Sequence, residues 1–142
     1  MQVQIINRQR KEPISNRKIN NIVNKILKYL KVKGKISIVF CNDQFIKKLN
    51  KEYRSINKPT DVLSFAFRET FYPLDIEQSF LGEIIISVQI VRKQANRFKH
   101  SFDKELTILL IHGILHLLEY NHLKIKDAAR MQKKEKELLA LI

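Results

Sequence analysis

The chain has 142 residues, 44% of them hydrophobic, with three glycines and three prolines, which is enough for one domain with a real core and too little for two. No apolar leader or run long enough to span a bilayer is present, and the single cysteine, Cys41, excludes an internal disulfide framework, so a soluble cytoplasmic protein is expected. The net charge of +13 suits a polyanionic partner such as RNA, although compositional drift toward AT-rich codons, which favours lysine, yields the same balance.

In chain order, Val3 to Ile6 reads as a short strand. Ser15 then caps a helix whose Ile19, Ile22, Val23, Ile26, Leu27 and Leu30 form one apolar stripe, with Gly34 marking its end. Lys35 to Cys41 is a buried strand in which Cys41 serves as a small hydrophobe. Asn42 or Asp43 opens a second helix with Phe45, Leu49 and Tyr53 spaced by four. After a turn at Lys58 and Pro59, Asp61 to Phe67 forms a third strand, and Arg68 to Phe80 a surface loop. Leu81 to Ser87 is the fourth strand, followed by a third helix with Val88, Val91, Ala95 and Phe98 toward the core. Ser101 caps the next helix, and a last one from about Asp127 carries Ala128, Met131, Leu138 and Ile142 on one stripe. The expectation is an α+β fold, one domain over residues 1–142, with a small mixed four-stranded sheet packed by about five helices.

The helix after Ser101 holds the chemistry. In LTILLIHGILHLLEYNH, His112 and His116 are four residues apart and project from one helix face, while His122 follows after enough chain for a turn back. A buried structural role would have to satisfy three polar rings in one apolar segment. Three nitrogens on one ion, with a fourth position left for water, match a catalytic zinc site, one ion per chain.

Three segments, LNKEYRSINKPTDVLSF, LGEIIIS and HGILHLLEYNH, together resemble the YbeY family of metal-dependent endoribonucleases of ribosomal RNA maturation, and HSFDKEL and MQKKEKELL are similar as well. The resemblance implies that His112, His116 and His122 bind zinc and that Arg54 is the functional arginine. The activity expected with it is single-strand-specific, on the 3′ end of small-subunit ribosomal RNA and in ribosome quality control. Zinc-bound water is the expected nucleophile on chemical grounds, with a ribose 2′-hydroxyl left open as the attacking group. The implied partners are a ribosomal RNA precursor, small-subunit ribosomal proteins and an assembly GTPase, with no membrane and no DNA. Where the family usually reads G-Y-D-H, this chain has Glu119, Tyr120, Asn121 and His122, and Asn57 stands where an aspartate is common; these changes bear on metal affinity more than on metal identity.

Chemically, a dication on three neutral histidines acidifies water toward a pKa of about 7, and Arg54 suits the charge that builds on phosphoryl oxygens. Asn121, Glu83 and Ser64 are candidates for supporting the ligands, while His100 reads as a helix-flanking or RNA-facing residue. Two other readings stand beside the nuclease. One is a non-catalytic ribosome-assembly or RNA-binding factor with structural zinc. The other, more distant, is a zinc peptidase, whose extended motif needs a glutamate where this chain has Gly113.

Overall fold

The computed structural model describes residues 3–66, 80–119 and 128–142, over which the chain runs β1 (Val3–Asn7), α1 (Asn16–Tyr29), β2 (Lys35–Cys41), α2 (Asp43–Arg54), β3 (Val62–Ala66), β4 (Phe80–Ser87), α3 (Val88–Arg97), α4 (Phe102–Glu119) and α5 (Ala128–Leu141). The strands form one sheet in the order β1-β2-β4-β3, with β1 parallel to β2, β2 parallel to β4, and β3 antiparallel to β4. The α+β class, the mixed four-stranded sheet and the five helices agree with the sequence reading. Among the described residues no helix is long and apolar enough to cross a membrane.

Strand alternation divides the core in two. Ile36, Ile38 and Phe40 of β2 with Ile84 and Ile86 of β4 face the larger cluster, which takes in Val23 and Ile26 of α1, Val91 of α3, Leu110 and Ile114 of α4 and Leu138 of α5. Val39 and Cys41 of β2, Leu63 of β3 and Ile85 of β4 face the other way, onto Ile46 of α2. Burial there pushes the Cys41 thiol up to about 12, so it serves as packing and not as a nucleophile.

Two glycines let α4 lie close on the sheet. A Cβ at Gly113 would stand 3.0 Å from Ile84 Cγ2 and 3.3 Å from both Ser64 Oγ and Val62 Cγ2. At Gly82, whose φ is +150°, it would stand 2.4 Å from the Phe65 carbonyl oxygen and 2.7 Å from Leu117 Cδ2. With the helix seated this tightly, the azimuths of the residues beside Gly113 are set as well.

Several local expectations are corrected. Helix α1 ends at Tyr29 and not near Gly34, because Lys31 takes the left-handed conformation (φ 58°) and the Lys31 and Val32 amides return to the Lys28 and Leu27 carbonyls. That closure satisfies the terminal carbonyls without glycine, and burial of Val32 beside Leu27 helps offset a strain of about 1 kcal/mol. Phe98, expected on the core face of α3, is 57% exposed because α3 stops one residue earlier, and Ile142, just past α5, is also exposed. Tyr53, expected to share the apolar stripe of Phe45 and Leu49, is 56% exposed. Phe80 belongs to β4 rather than to the preceding loop; the rest of that loop, residues 68–79, and Phe67, expected to end the third strand, lie outside the described residues. Strand β3 begins at Val62, since Asp61 uses its carboxylate to accept from the Val62 amide (2.8 Å) and from Gln94 Nε2 (3.3 Å).

Candidate metal centre

The site is built outward from α4. Ser101 accepts from the Lys104 amide (3.0 Å) as its N-cap, and Asp103 and Glu105 stand in the first turn, where carboxylates favour the helix dipole. Glu105 is itself buried and meets His100 Nε2 at 2.6 Å, so His100 is a partner within the helix-start network and not an RNA-facing side chain. With Gly113 against the sheet, a rotation of about 100° per residue carries His112 and His116 to the same flank of the helix.

On that flank the two imidazoles converge. Their centroids are 4.4 Å apart with the planes at 69°, and Nε2 of His116 lies 3.0 Å from Nε2 of His112. Two nitrogens on one tetrahedral zinc stand about 3.4 Å apart, so an opening of a few tenths of an ångström seats an ion between them. The neutral-imidazole donor set suits zinc. His112 Nδ1, on the far side of its ring, meets Glu135 Oε1 of α5 at 2.9 Å, and the His112 side chain is 40% exposed, open to solvent on the site's outer side.

Arg54 reaches the same region from the other side of the sheet. Asn42 caps α2 by accepting from the Phe45 amide (2.9 Å), and buried Asn50 donates to the Lys58 carbonyl (2.9 Å), which holds the turn that follows Ser55. Arg54 Nη2 donates to the Ser64 carbonyl of β3 (3.0 Å), with its guanidinium 4.8 Å above the Phe65 ring. Ser64 Oγ in turn donates to the Gly113 carbonyl (3.1 Å). One strand residue therefore connects the arginine to the helix turn between the two histidines.

The remaining expected site residues divide. Ser64 lies on the α4 face, as its bond to Gly113 requires. Glu83 does not: it pairs in register with Phe65, shares the α2 face, accepts from Ser37 Oγ (3.3 Å), and stands across the sheet from the histidines. Its expected support of a histidine is corrected on that ground. Asn121 and His122 lie outside the described residues. Among the described residues, no group of three or more His, Cys, Asp or Glu is arranged to hold a metal, so the described part of the site is the His112–His116 pair.

Glu135 was not singled out from the sequence. Its signal was positional: it stands four residues after Met131 and three before Leu138, both buried, so a carboxylate occupies the core-facing stripe of α5. The geometry also accounts for Gly113. A glutamate at that position, as in the extended zinc-protease motif, would point into Ile84, Ser64 and Val62 instead of toward a substrate.

Comparison with known proteins shows the family. Residues 4–142 match the family model described as Endoribonuclease YbeY. The chain is 42% identical to the endoribonuclease YbeY of Desulfitobacterium hafniense over 113 residues, covering 77% of this chain and 72% of that protein. It is 38% identical to the protein of the same name from Thermodesulfovibrio yellowstonii, covering 97% of this chain and 95% of the relative. The solution structure of TM1509 from Thermotoga maritima superposes with a TM-score of 0.66 at 31% identity, over 98% of this chain and 87% of that one.

Proposed function

The chain belongs to the YbeY endoribonuclease family and is an RNA-cleaving hydrolase; from that premise we propose that it is a zinc-dependent, single-strand-specific endoribonuclease. Its substrate is the ribosomal RNA precursor, cut in maturation of the 3′ end of the small-subunit RNA and in ribosome quality control. It acts in the cytoplasm as one domain spanning residues 1–142, alongside small-subunit ribosomal proteins and an assembly GTPase. His112, His116 and His122 hold one zinc ion. The observation that carries this reading is the approach of two Nε2 atoms to 3.0 Å on one flank of α4, with Arg54 tied to the adjoining strand.

When bound, zinc supplies a Lewis acid that acidifies water and draws charge from a phosphoryl oxygen. The chain's own residues do the rest. Arg54, permanently charged and planar, offers N–H donors to nonbridging oxygens as negative charge grows on them. Its bond to the Ser64 carbonyl and its stacking on Phe65 restrict the guanidinium beforehand, so little ordering remains for the moment of reaction. Lys47, Lys51 and Arg54 are exposed at positions i, i+4 and i+7 of α2, a basic stripe along which the strand's phosphates can run. A single strand suits this arrangement, because an unpaired backbone can bring an exposed phosphodiester to the histidines and Arg54.

The test is metal content beside cleavage. Purified protein freed of contaminating nuclease is expected to carry stoichiometric zinc and to cut single-stranded RNA, and His116→Ala to lose both. Undiminished cleavage by His116→Ala overturns the proposal.

A further inference from the structure

We infer that Glu135 is a positioning residue: its carboxylate accepts the Nδ1 proton of His112 and so holds that ring in the tautomer whose Nε2 lone pair faces a divalent cation shared with His116. The inference rests on the metal reading above and adds a residue that acts through a ligand without touching the ion.

The placement of Glu135 is the first ground. Helix α5 packs on the histidine helix through Met131 and Leu138, both buried, and Glu135 lies between them on the same stripe. Its carboxylate stands at the solvent margin of that apolar seam, with 29% of the side chain exposed, and meets His112 Nδ1 at 2.9 Å. Its neighbour Glu137 behaves differently, pairing with Lys134 on its own helix at 3.2 Å. Of the two, only Glu135 is aimed at the site.

The second ground is the proton inventory. A neutral imidazole carries one N–H, and in water it resides mostly on Nε2. Donation from Nδ1 to Glu135 moves it to the other nitrogen and leaves Nε2 of His112 as an acceptor, the atom that stands 3.0 Å from His116 Nε2. Histidine ligands commonly hold their second nitrogen against a carboxylate in this way, and removing the carboxylate typically weakens metal binding by about 10- to 100-fold.

Two variants separate this role from simple packing. Glu135→Leu completes the apolar stripe and is expected to fold at least as stably as the parent, yet to bind zinc on the order of 10-fold or more weakly in competition with a chromophoric chelator. Glu135→Gln retains an acceptor and is expected to fall between the two. Nitrogen-15 spectra of the imidazoles in the metal-free protein are expected to show His112 with its proton on Nδ1 in the parent and in Glu135→Gln, and on Nε2 in Glu135→Leu. Parental zinc affinity together with an unmoved tautomer in Glu135→Leu overturns the inference. Zinc binding left intact by His116→Ala counts instead against the metal reading itself.

Discussion

The two faces of the sheet differ in how much freedom they leave. On the α4 face, two glycines bring helix and strand into contact, and the histidine pair inherits its position from that packing. On the α2 face the core is small, and beside it lies an open cleft of about 540 Å³ walled by Phe45, Tyr53, Phe65 and Phe80, with Arg8 4.6 Å over the Phe45 ring and Glu83 among its lining residues. A metal needs nitrogens held to a few tenths of an ångström, whereas a strand of RNA needs exposed charge and room. In the proposed function the close-packed face would supply the first and the open face the second, and the two faces meet at β3, where Ser64 offers its hydroxyl to one side and its carbonyl to Arg54 on the other.

The sharpest way to break this contrast is to push the α4 face apart. In Gly82→Ala the added carbon falls 2.4 Å from a backbone carbonyl, which no rotamer relieves, on a residue at φ +150°. A loss of at least about 3 kcal/mol in denaturant unfolding is expected, with zinc affinity lost alongside it. A loss below about 1 kcal/mol would mean that the helix is free to shift and that the glycines do not set the histidines.

How much of this was legible in the sequence follows the same division. The histidine pair was readable because helical period alone places residues four apart on one flank. Strand period separates neighbours within one strand, but Glu83 and Ser64 lie on different strands, and only the register that pairs Ser64 with Ile84 puts them on opposite faces. Which face the histidine helix covers is set by its close seating at Gly113 and Gly82. Glu135 was hidden in a run of lysines and glutamates, MQKKEKELL, where one carboxylate reads like the next until Met131 and Leu138 define the buried stripe. The end of α1 was misplaced because a lysine, and not the nearby glycine, took the left-handed turn.

Crossing from one face to the other, Arg54→Ala is expected to lower kcat on single-stranded RNA by about 100-fold while zinc content stays stoichiometric. Metal and catalysis would thereby separate along the line between α4 and α2. Lost zinc in this variant would mean that the arginine is part of the metal's support instead.

A smaller effect tests the open face alone. Lys51→Ala removes one charge from the Lys47–Lys51–Arg54 stripe, so RNA affinity is expected to fall a few-fold. The slope of log affinity against log salt should flatten by about 0.7, the share of one single-strand phosphate contact. An unchanged slope would move the RNA path off α2.

The smallest expected effect concerns what steadies the close-packed face. Glu12 accepts from Arg92 Nε (3.0 Å) and Nη2 (2.7 Å), and that guanidinium lies 4.8 Å over Phe102, the first residue of the histidine helix. The hydrogen bonds from Arg92 outweigh partial desolvation and hold the Glu12 carboxyl below its ordinary value of 4.5. Because the folded-state value is depressed, the stabilisation is present in full above that ordinary value and is lost as pH falls through the folded one. Glu12→Gln should therefore melt below the parent near neutral pH, and the two melting temperatures should converge on acidification below 4.5. If Glu12 acts only through this ion pair, zinc affinity at neutral pH should be the same in both proteins, since the pair steadies the start of α4 and the histidines sit about three and four turns further on, held by Gly113 against the sheet. A melting difference that persists at about pH 3 would assign the contact's contribution to packing on Phe102 and not to charge.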